Sequence, residues 1–436
     1  MAVLTDSDLF ASDFKAEPYW WMAAPRPETV SEALPASADV AVVGSGYTGL
    51  SAALTLARAG RDVVVLEAGP AGFGASSRNA GFVGKTFKHS FSSLLDGAGE
   101  NYAISAYREL DAAFDHVTGL IADERIACHY TRCGRYMAAN SPAHFESMTR
   151  ELDLKHKHLG YDSEMLSAKD QRSEFASNRY HGGAIIPDLA SLHPGLYHLG
   201  LLERTRAAGA RVFGNTPVTG ISRDADGFDV ATLRGTVKVR NVALATNGYT
   251  GRATPWLRRR VIPFRGFMIA TEELDEALLS RILPNARTMH DFNNNLVYIR
   301  RAPDTPRLLL GAQTGTMTDD LPKMARRLHA VLSELVPEMK GVRLSRAWNG
   351  FGAGTFDLYP HVGEHDGIHY ALGYCFAGVP MGTYLGHKMA LSILDDPAAD
   401  TIFAGRPFET RWWYRGTPWF LPAYVGRLNW LDKHGR

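Results

Sequence analysis

The sequence predicts an α/β fold in which a domain built on a parallel sheet interleaves with an α+β domain built on an antiparallel sheet. Three observations support this: a strand–glycine turn–helix–strand unit near the start, short strands spaced between 261 and 311, and a strand followed by a helix between 368 and 394. The 436 residues, 45% hydrophobic and 21% charged, are long enough for two cores.

The first unit begins with Asp39–Val43, whose β-branched residues suit a strand buried on both faces. A G-x-G-x-x-G turn follows over 44–49, and then a helix over Leu50–Ala59. A second strand, Asp62–Leu66, runs into Glu67. This order of elements is the one that a dinucleotide-binding βαβ unit requires. A merely structural βαβ unit is the alternative.

Each part of this unit has a physical task. Gly44 permits the tight turn, Gly46 lets the backbone approach a pyrophosphate, and Gly49 lets the helix pack closely on the strand. The free amides at the start of the helix attract the phosphates. The Glu67 carboxylate would accept both ribose hydroxyls and repel a 2′-phosphate. The motif predicts a Rossmann-like unit but does not distinguish NAD from FAD.

The next segment carries a family resemblance. Gly72-Phe73-Gly74-Ala75-Ser76-Ser77-Arg78-Asn79-Ala80-Gly81 resembles the G-x-G-A-S-x-R-N-x-G segment of the D-amino-acid-oxidase-like FAD superfamily, and within it the γ-glutamylputrescine oxidase group. The resemblance implies FAD, with this segment beneath the cofactor. It also implies a Rossmann-like FAD-binding domain interleaved with an α+β substrate domain built on an antiparallel sheet.

Three later parts of the chain extend the resemblance. Val218 aligns with a valine whose backbone contacts adenine in this superfamily, and Ala245–Gly248 resembles an A-x-G-type second contact with the dinucleotide. Trp348–Gly350, with the T-x-D-x-x-P-x-x-G pattern over 355–363, resembles the motif of the last third. The residues expected at the cofactor are Gly44, Gly46, Tyr47, Thr48, Gly49, Glu67, Ala68, Gly74, Ala75, Ser76, Ser77, Arg78, Asn79, Ala80, Gly81, Val218, Ala245, Asn247, Gly248, Gly373, Phe376, Gly378, Val379, Pro380 and Met381.

The chain departs from the family pattern at one turn. The resembled group has G-[F/Y]-S-G-H-G where this chain has a bulkier sequence over 373–378, including Cys375 and Phe376. A helix from about Gly378 or Pro380 to Leu394 follows, and its first amides would stabilise a reduced flavin. Sarcosine oxidases link flavin through a cysteine nearer Trp348, so we expect noncovalent FAD rather than a bond to Cys375. The histidines lack the HExxH spacing or cysteine partners of a metal site, so we expect no metal. A lysine that activates oxygen in some relatives has no counterpart in 308–311.

The candidate substrate residues are Arg265, Tyr298, Arg300, Trp348, Tyr374 and His193. Tyr298 and Arg300 share one strand face and could together hold an acidic group. The alternative is a solvated arginine beside a core tyrosine. Trp348 and Tyr374 could cage an alkylated nitrogen or pack in the core. His193 either contacts substrate or caps the helix that starts at Pro194.

The resemblance implies oxidation of a small primary or secondary amine, or an amino acid. Hydride would pass from the carbon next to nitrogen to flavin N5, and the imine product would hydrolyse. Dioxygen would reoxidise the flavin and yield hydrogen peroxide. A dehydrogenase with another electron acceptor is the alternative. A flavin-bearing membrane-surface protein is a third hypothesis, based on the basic and aromatic tail after Arg411.

Composition limits the other function classes. The 47 basic and 46 acidic residues give no reason to expect nucleic acid, and three cysteines form no disulfide or metal pattern. The first residues lack a signal peptide and no apolar run reaches membrane length, so we expect a soluble, cytoplasmic protein. Its oligomeric state is not predicted.

The predicted domain organisation is discontinuous. We expect the apolar Tyr19–Met22 of the N-terminal arm to dock on the body. Helical periodicity covers Ser90–Ile126, and His129–Ala138 reads as a strand. A hairpin, 228–233 with 236–240, should precede a separate buried strand at 241–244. The predicted segments are an arm (1–35), an FAD-binding domain (36–90, 160–255 and 340–410), a substrate domain (91–159 and 256–339) and a C-terminal aromatic tail packed on the body (411–436).

Overall fold

The computed structural model describes residues 9–27, 32–312, 314–315 and 318–433. The first eight residues and 28–31 of the predicted arm, and the last three of the predicted tail, lie outside the described residues. Among the described residues, no helix combines the length and apolar character that crossing a bilayer requires.

The first sheet has eight strands and contains the predicted dinucleotide unit. Its parallel centre follows the spatial order Arg211–Phe213, Val63–Leu66, Ser37–Val43, Gly235–Leu244 and Ile368–Leu372. The centre strands are rich in valine and buried because helices cover them. The antiparallel strands at its margins are Val218–Asp224, Gly227–Thr232 and His361–His365.

The second sheet has nine strands and is mostly antiparallel. In spatial order its strands are Phe10–Lys15, Leu344–Gly354, Ile262–Thr271, Leu308–Ala312, Tyr298–Arg301, Thr288–Asp291, Arg135–Ala138, Gly183–Ile186 and Glu164–Leu166. One face packs on the helix Leu321–Leu335 through residues such as Phe267 and Ile299. Alternate residues on the other face therefore point toward the first sheet. A separate two-stranded sheet pairs Phe82–Val83 with Ala190–Ser191.

Two helices fix the position of the dinucleotide turn. Gly378–Ile393 packs against Tyr47–Arg58 and against Glu100–Asp123, and all three helices contribute to one apolar core. The remaining α-helices are Phe91–Ala98, Pro142–Leu159, Pro194–Ala207, Pro255–Arg258, Glu276–Ile282 and Leu421–Lys433.

The fold class predicted from the sequence is confirmed, but three elements differ from the expectation. The helical stretch predicted over Ser90–Ile126 is divided at Gly99, whose φ of 86° ends the first helix. The predicted strand His129–Ala138 begins only at Arg135, because His129 and Gly134 adopt positive φ. The hairpin strand 236–240 and the buried strand 241–244 are one strand, because both pair in register with their neighbours.

The sheets also divide the chain differently from the predicted segments. Glu164–Leu166, Gly183–Ile186 and Leu344–Gly354 lie in the nine-stranded sheet, although they fall in segments predicted for the FAD-binding domain. The helices Phe91–Ala98 and Glu100–Asp123 pack on the other core, although they fall in a segment predicted for the substrate domain. Periodicity identifies elements but not the sheet that each one joins.

Both predicted terminal segments contact the body where they are described. Tyr19 and Trp20 are buried, and the Trp20 indole donates to the Asn79 carbonyl at 2.8 Å. In the tail, the buried Tyr414 hydroxyl donates to the Val261 carbonyl at 2.7 Å. Trp412 and Trp419 nevertheless remain 83% and 66% exposed.

Candidate active site

The glycine turn has the geometry that its sequence predicts. Gly44 has a φ of 103°, and a Cβ there would lie 2.9 Å from the Ala245 carbonyl oxygen. A Cβ at Gly49 would lie only 1.9 Å from the Gly44 carbonyl oxygen. Gly46 precedes the helix and gives its first turn no side-chain cap. The turn therefore holds bare backbone at a helix N-terminus, which suits a pyrophosphate.

Glu67 is positioned by the same turn. Its Oε2 atom accepts hydrogen bonds from the Ser45 amide and the Ser45 hydroxyl, both at 2.8 Å. The Gly69 amide donates to Oε1 at 3.3 Å. The carboxylate is therefore fixed at the end of Val63–Leu66, where a ribose is bound in dinucleotide-binding units.

A cavity of about 750 Å³ runs from this turn to the nine-stranded sheet. Its size falls within the range of small-molecule sites, roughly 300–1,000 Å³. Of the residues predicted at the cofactor, its walls include Gly44, Gly46, Tyr47, Thr48, Glu67, Ala68, Gly74, Ala75, Ser76, Arg78, Asn79, Ala80, Val218, Ala245, Asn247, Phe376, Gly378, Val379 and Pro380.

Six residues predicted at the cofactor lie behind the wall. Gly49 packs the helix on the turn, and a Cβ at Gly248 would meet the Gly352 carbonyl oxygen at 2.5 Å. The Gly373 amide donates to Asn247 Oδ1 at 3.0 Å, while Met381 is part of the helix core. Ser77 and Gly81 belong to the segment described next.

The segment 74–81 is held by contacts on both sides. The Ser76 hydroxyl accepts from the Tyr47 amide at 2.9 Å, and the buried Ser77 hydroxyl donates to the Gly72 carbonyl at 2.6 Å. Asn79 Oδ1 accepts from the Gly81 amide at 2.8 Å. These bonds fix the backbone, so Arg78, Asn79 and Ala80 form a rigid part of the cavity wall.

The turn before the helix Gly378–Ile393 has an unusual backbone conformation. Cys375 and Phe376 have φ values of 45° and 80°, a region that side chains other than glycine rarely adopt. The helix then begins at Gly378 without a side-chain cap, and its first residues line the cavity. Burial raises the pKa of the Cys375 thiol to about 11. That cysteine is therefore a protonated thiol at neutral pH and a poor nucleophile.

Three of the predicted substrate residues line the cavity: Trp348, Tyr298 and Tyr374. The Trp348 indole donates to the Arg78 carbonyl at 2.8 Å, and the Tyr374 hydroxyl donates to the Ala371 carbonyl at 2.7 Å. Burial raises the pKa of Tyr298 well above its ordinary value. Trp348 and Tyr298 give the sheet side of the cavity an aromatic surface, and Tyr374 lies on the side of the glycine turn, where its hydroxyl also bonds Thr48.

The other three predicted substrate residues do not line the cavity, and these predictions are corrected. Arg300 does share a sheet face with Tyr298, but it is only 4% exposed, and its Nη1 donates to the Ala80 and Leu192 carbonyls at 2.9 and 2.8 Å. His193 caps the helix Pro194–Ala207, with Nδ1 accepting from the Leu196 amide at 3.1 Å. Both side chains are buried outside the cavity wall, so neither faces the chamber.

Arg265 is the third correction. Its guanidinium donates to the Thr318 carbonyl at 2.8 Å, pairs with the Asp319 carboxylate and stacks on the Phe351 ring. Phe264 and Gly266, its neighbours, line the cavity, but Arg265 does not. The alternation along Ile262–Thr271 turns it away.

Four basic residues in the cavity wall were not predicted from the sequence: Lys88, Arg135, Arg252 and His290. Arg135 and His290 lie on neighbouring parallel strands, where Arg135 pairs with Thr288. Burial and the nearby Arg135 charge lower the pKa of His290 to about 4. Burial also lowers the pKa of Lys88. No local motif marks these residues, because distant segments bring them together.

The fold and this site define a class: a two-domain protein whose dinucleotide cradle opens into an aromatic chamber on the second domain. The family described as "DAO: FAD dependent oxidoreductase" matches residues 39–391. The chain belongs to this family of FAD-dependent oxidoreductases. The resemblance seen in the sequence and the expectation of FAD as cofactor are confirmed.

Individual relatives agree with this assignment. The chain is 32% identical to gamma-glutamylputrescine oxidoreductase of Escherichia coli over 87% of this chain and 88% of that protein. It is 30% identical to the probable oxidoreductase OrdL of Haemophilus influenzae, over 84% and 85% of the two chains. Glycine oxidase from Geobacillus kaustophilus has the same fold, with a TM-score of 0.73, 23% identity and coverage of 87% and 99%.

Proposed function

We propose that this protein oxidises the CH–NH bond of a small primary or secondary amine or an amino acid, with dioxygen as electron acceptor. One observation carries the proposal: a single cavity joins the glycine turn and Glu67 to a chamber with Tyr298, Trp348 and Phe264 in its wall. The relative named gamma-glutamylputrescine oxidoreductase, at 32% identity over most of both chains, supports an amine substrate.

The cradle residues fit the adenosine and pyrophosphate of FAD. The glycine turn leaves no room for a side chain, as the Cβ distances show, and Glu67 is held where a ribose would bind. Segment 74–81 and the start of helix Gly378–Ile393 would hold the flavin end. When bound, the flavin supplies the acceptor for the hydride that leaves the carbon next to nitrogen, and dioxygen takes the electrons to form hydrogen peroxide. Because the Cys375 thiol is protonated, we propose that FAD is held without a covalent bond.

The residues of the chamber favour a neutral amine, the form that can lose hydride. Aromatic walls exclude water and disfavour the ammonium ion by desolvation. Lys88 and Arg135 line the same cavity and repel a positive charge. Among the described wall residues Glu67 is the one acidic side chain, and it is bonded to Ser45.

Steady-state assays separate oxidation with dioxygen from the dehydrogenase alternative. A panel of amines and amino acids is given to the purified holoenzyme in air, and peroxide is measured. We expect at least one compound to produce peroxide in proportion to oxygen consumed. Turnover with an artificial electron acceptor but without peroxide would show a dehydrogenase. Turnover with neither acceptor would overturn the proposal.

A further inference from the structure

Resting on the proposed function, we propose that Arg135, supported by Lys88, forms a subsite for a carboxylate group of the substrate. The inference concerns the end of the cavity on the nine-stranded sheet. It names a specificity-determining residue that differs from Arg265 and Arg300, the two arginines that the sequence suggested.

The first observation is the bonding of Arg135. Its side chain is 4% exposed, and Nε donates to Thr288 Oγ1 at 3.3 Å. Its guanidinium carbon lies 4.9 Å from the Phe82 ring centroid, and Nη1 lies against Gly84. Among the described residues, Nη2 has no hydrogen-bond partner and no carboxylate pairs with this arginine.

A buried guanidinium without a counter-charge is costly in free energy. Arg300, on the same face of the same sheet, avoids this cost by donating to three backbone carbonyls. Arg135 has no equivalent set, although it lines the cavity. Burial lowers its pKa to about 10, so it remains charged at neutral pH. An anionic ligand in the cavity would supply the missing partner.

The surroundings fit a carboxylate. Lys88 lines the same cavity, with Nζ 4.5 Å from the Phe376 ring centroid. Tyr298 lies edge-on to the Phe82 ring that Arg135 covers, with ring centroids 6.0 Å apart, so Tyr298 and Arg135 contact the same ring. The planar fork of an arginine binds a carboxylate through two parallel hydrogen bonds. His290 is bonded to the Asp291 carbonyl at 2.7 Å and forms the neutral side of the subsite.

The consequence is a substrate with two defined ends. Its amine must reach the flavin side of the chamber, and its carboxylate must reach Arg135. The two other arginines of the cavity wall differ from Arg135: Arg78 donates to the Phe73 and Asn349 carbonyls, and Arg252 is exposed to solvent, so it needs no buried counter-charge. The distance between these two places in the cavity therefore determines which substrate lengths fit.

The test uses ω-amino carboxylates with one to five carbons between nitrogen and carboxylate, each compared with its carboxamide. For the wild-type holoenzyme we expect the best carboxylate to exceed its amide in kcat/KM by about 10- to 150-fold, as bonds to a charged group supply. Arg135→Met should remove this preference, and Arg135→Lys should retain part of it. Arg301→Met is the matched control: its side chain lies on the opposite face and pairs with Glu276.

A binding measurement distinguishes failure of this subsite from failure of the proposed function. Propionate and propionamide cannot be oxidised as amines, so their effect on the flavin absorption spectrum and on the melting temperature reports binding alone. We expect propionate to change the flavin spectrum and the melting temperature of the wild type and of R301M. We expect it to change neither quantity in R135M. Equal effects of propionate and propionamide, or a preference unchanged in folded R135M and R135K, would overturn the subsite. Inactivity toward all amines with a retained propionate effect would overturn only the proposed function.

Discussion

The Tyr374 hydroxyl accepts a hydrogen bond from Thr48 Oγ1 at 2.7 Å while donating to the Ala371 carbonyl. Thr48 lies in the first turn of the helix Tyr47–Arg58, and Tyr374 precedes the helix Gly378–Ile393. Two segments more than 300 residues apart are thus joined at the cavity wall. This bond ties the glycine turn to the turn that precedes the helix Gly378–Ile393.

We expect Tyr374→Phe to destabilise the protein because it leaves the Thr48 hydroxyl and the Ala371 carbonyl without this partner in a buried site. The loss should be about 1–3 kcal/mol in the free energy of unfolding, measured by urea denaturation. Tyr424→Phe, at a half-exposed position in the tail, should change it by less than about 0.5 kcal/mol. Equal stability of both variants would contradict the structural role of the bond.

Gly49→Ala should damage both stability and FAD binding. The new Cβ would lie 1.9 Å from the Gly44 carbonyl oxygen, so the helix or the turn must move. Overpacking of this kind costs about 1–3 kcal/mol. Gly97→Ala is the control, since its Cβ meets no atom within 4 Å and a helical alanine gains up to about 1 kcal/mol. Thermal denaturation and flavin content check both, and an unaffected G49A holoenzyme would refute the packing argument.

Acidification should weaken the fold between about pH 6.5 and pH 4. Burial lowers the pKa of His116, His193 and His290 to about 4 and that of His198 to about 3. The unfolded chain binds these protons near pH 6.5 and the folded chain does not, so stability is lost as pH falls through this window. Burial raises the pKa of Asp291 to about 6, so protonation of this group stabilises the folded chain as pH falls. This effect opposes that of the histidines, but it comes from one group and theirs from four.

The slope of unfolding free energy against pH measures this effect. Each proton contributes up to about 1.4 kcal/mol per pH unit, and His116→Gln should lower the slope by part of this amount. A stability that stays constant or increases from pH 6.5 to pH 4 would contradict the burial of these histidines.

Within the C-terminal segment, stability should depend on the buried tyrosine rather than on the exposed tryptophans. Tyr414→Phe removes the hydroxyl that donates to the Val261 carbonyl and should cost about 1–3 kcal/mol. Trp412→Ala, at an 83% exposed position, should change stability by less than about 0.5 kcal/mol. The reverse order in urea denaturation would show that the tail does not pack as described.

Local pattern was sufficient to predict the glycine turn, since Gly44, Gly49 and Glu67 act within one βαβ unit. Alternation also placed Tyr298 and Arg300 on one sheet face. It could not predict that Arg300 reaches the Ala80 and Leu192 carbonyls, which come from segments more than 100 residues away.

Arg135 was missed for a related reason. Its strand pairs in parallel with Thr288–Asp291, and no local signal specifies a partner about 150 residues distant. The sequence therefore identified the cofactor, but the two arginines that it suggested for the substrate, Arg265 and Arg300, do not line the cavity. Long-range pairing, rather than local periodicity, determines which side chains enter the chamber.

Anaerobic titration of the holoenzyme with amines and amino acids tests the central claim most directly. If the cavity joins the FAD cradle to an amine chamber, at least one compound should bleach the visible flavin absorbance completely in the absence of oxygen. An absorbance that no compound in the panel changes, although dithionite bleaches it, would contradict the account.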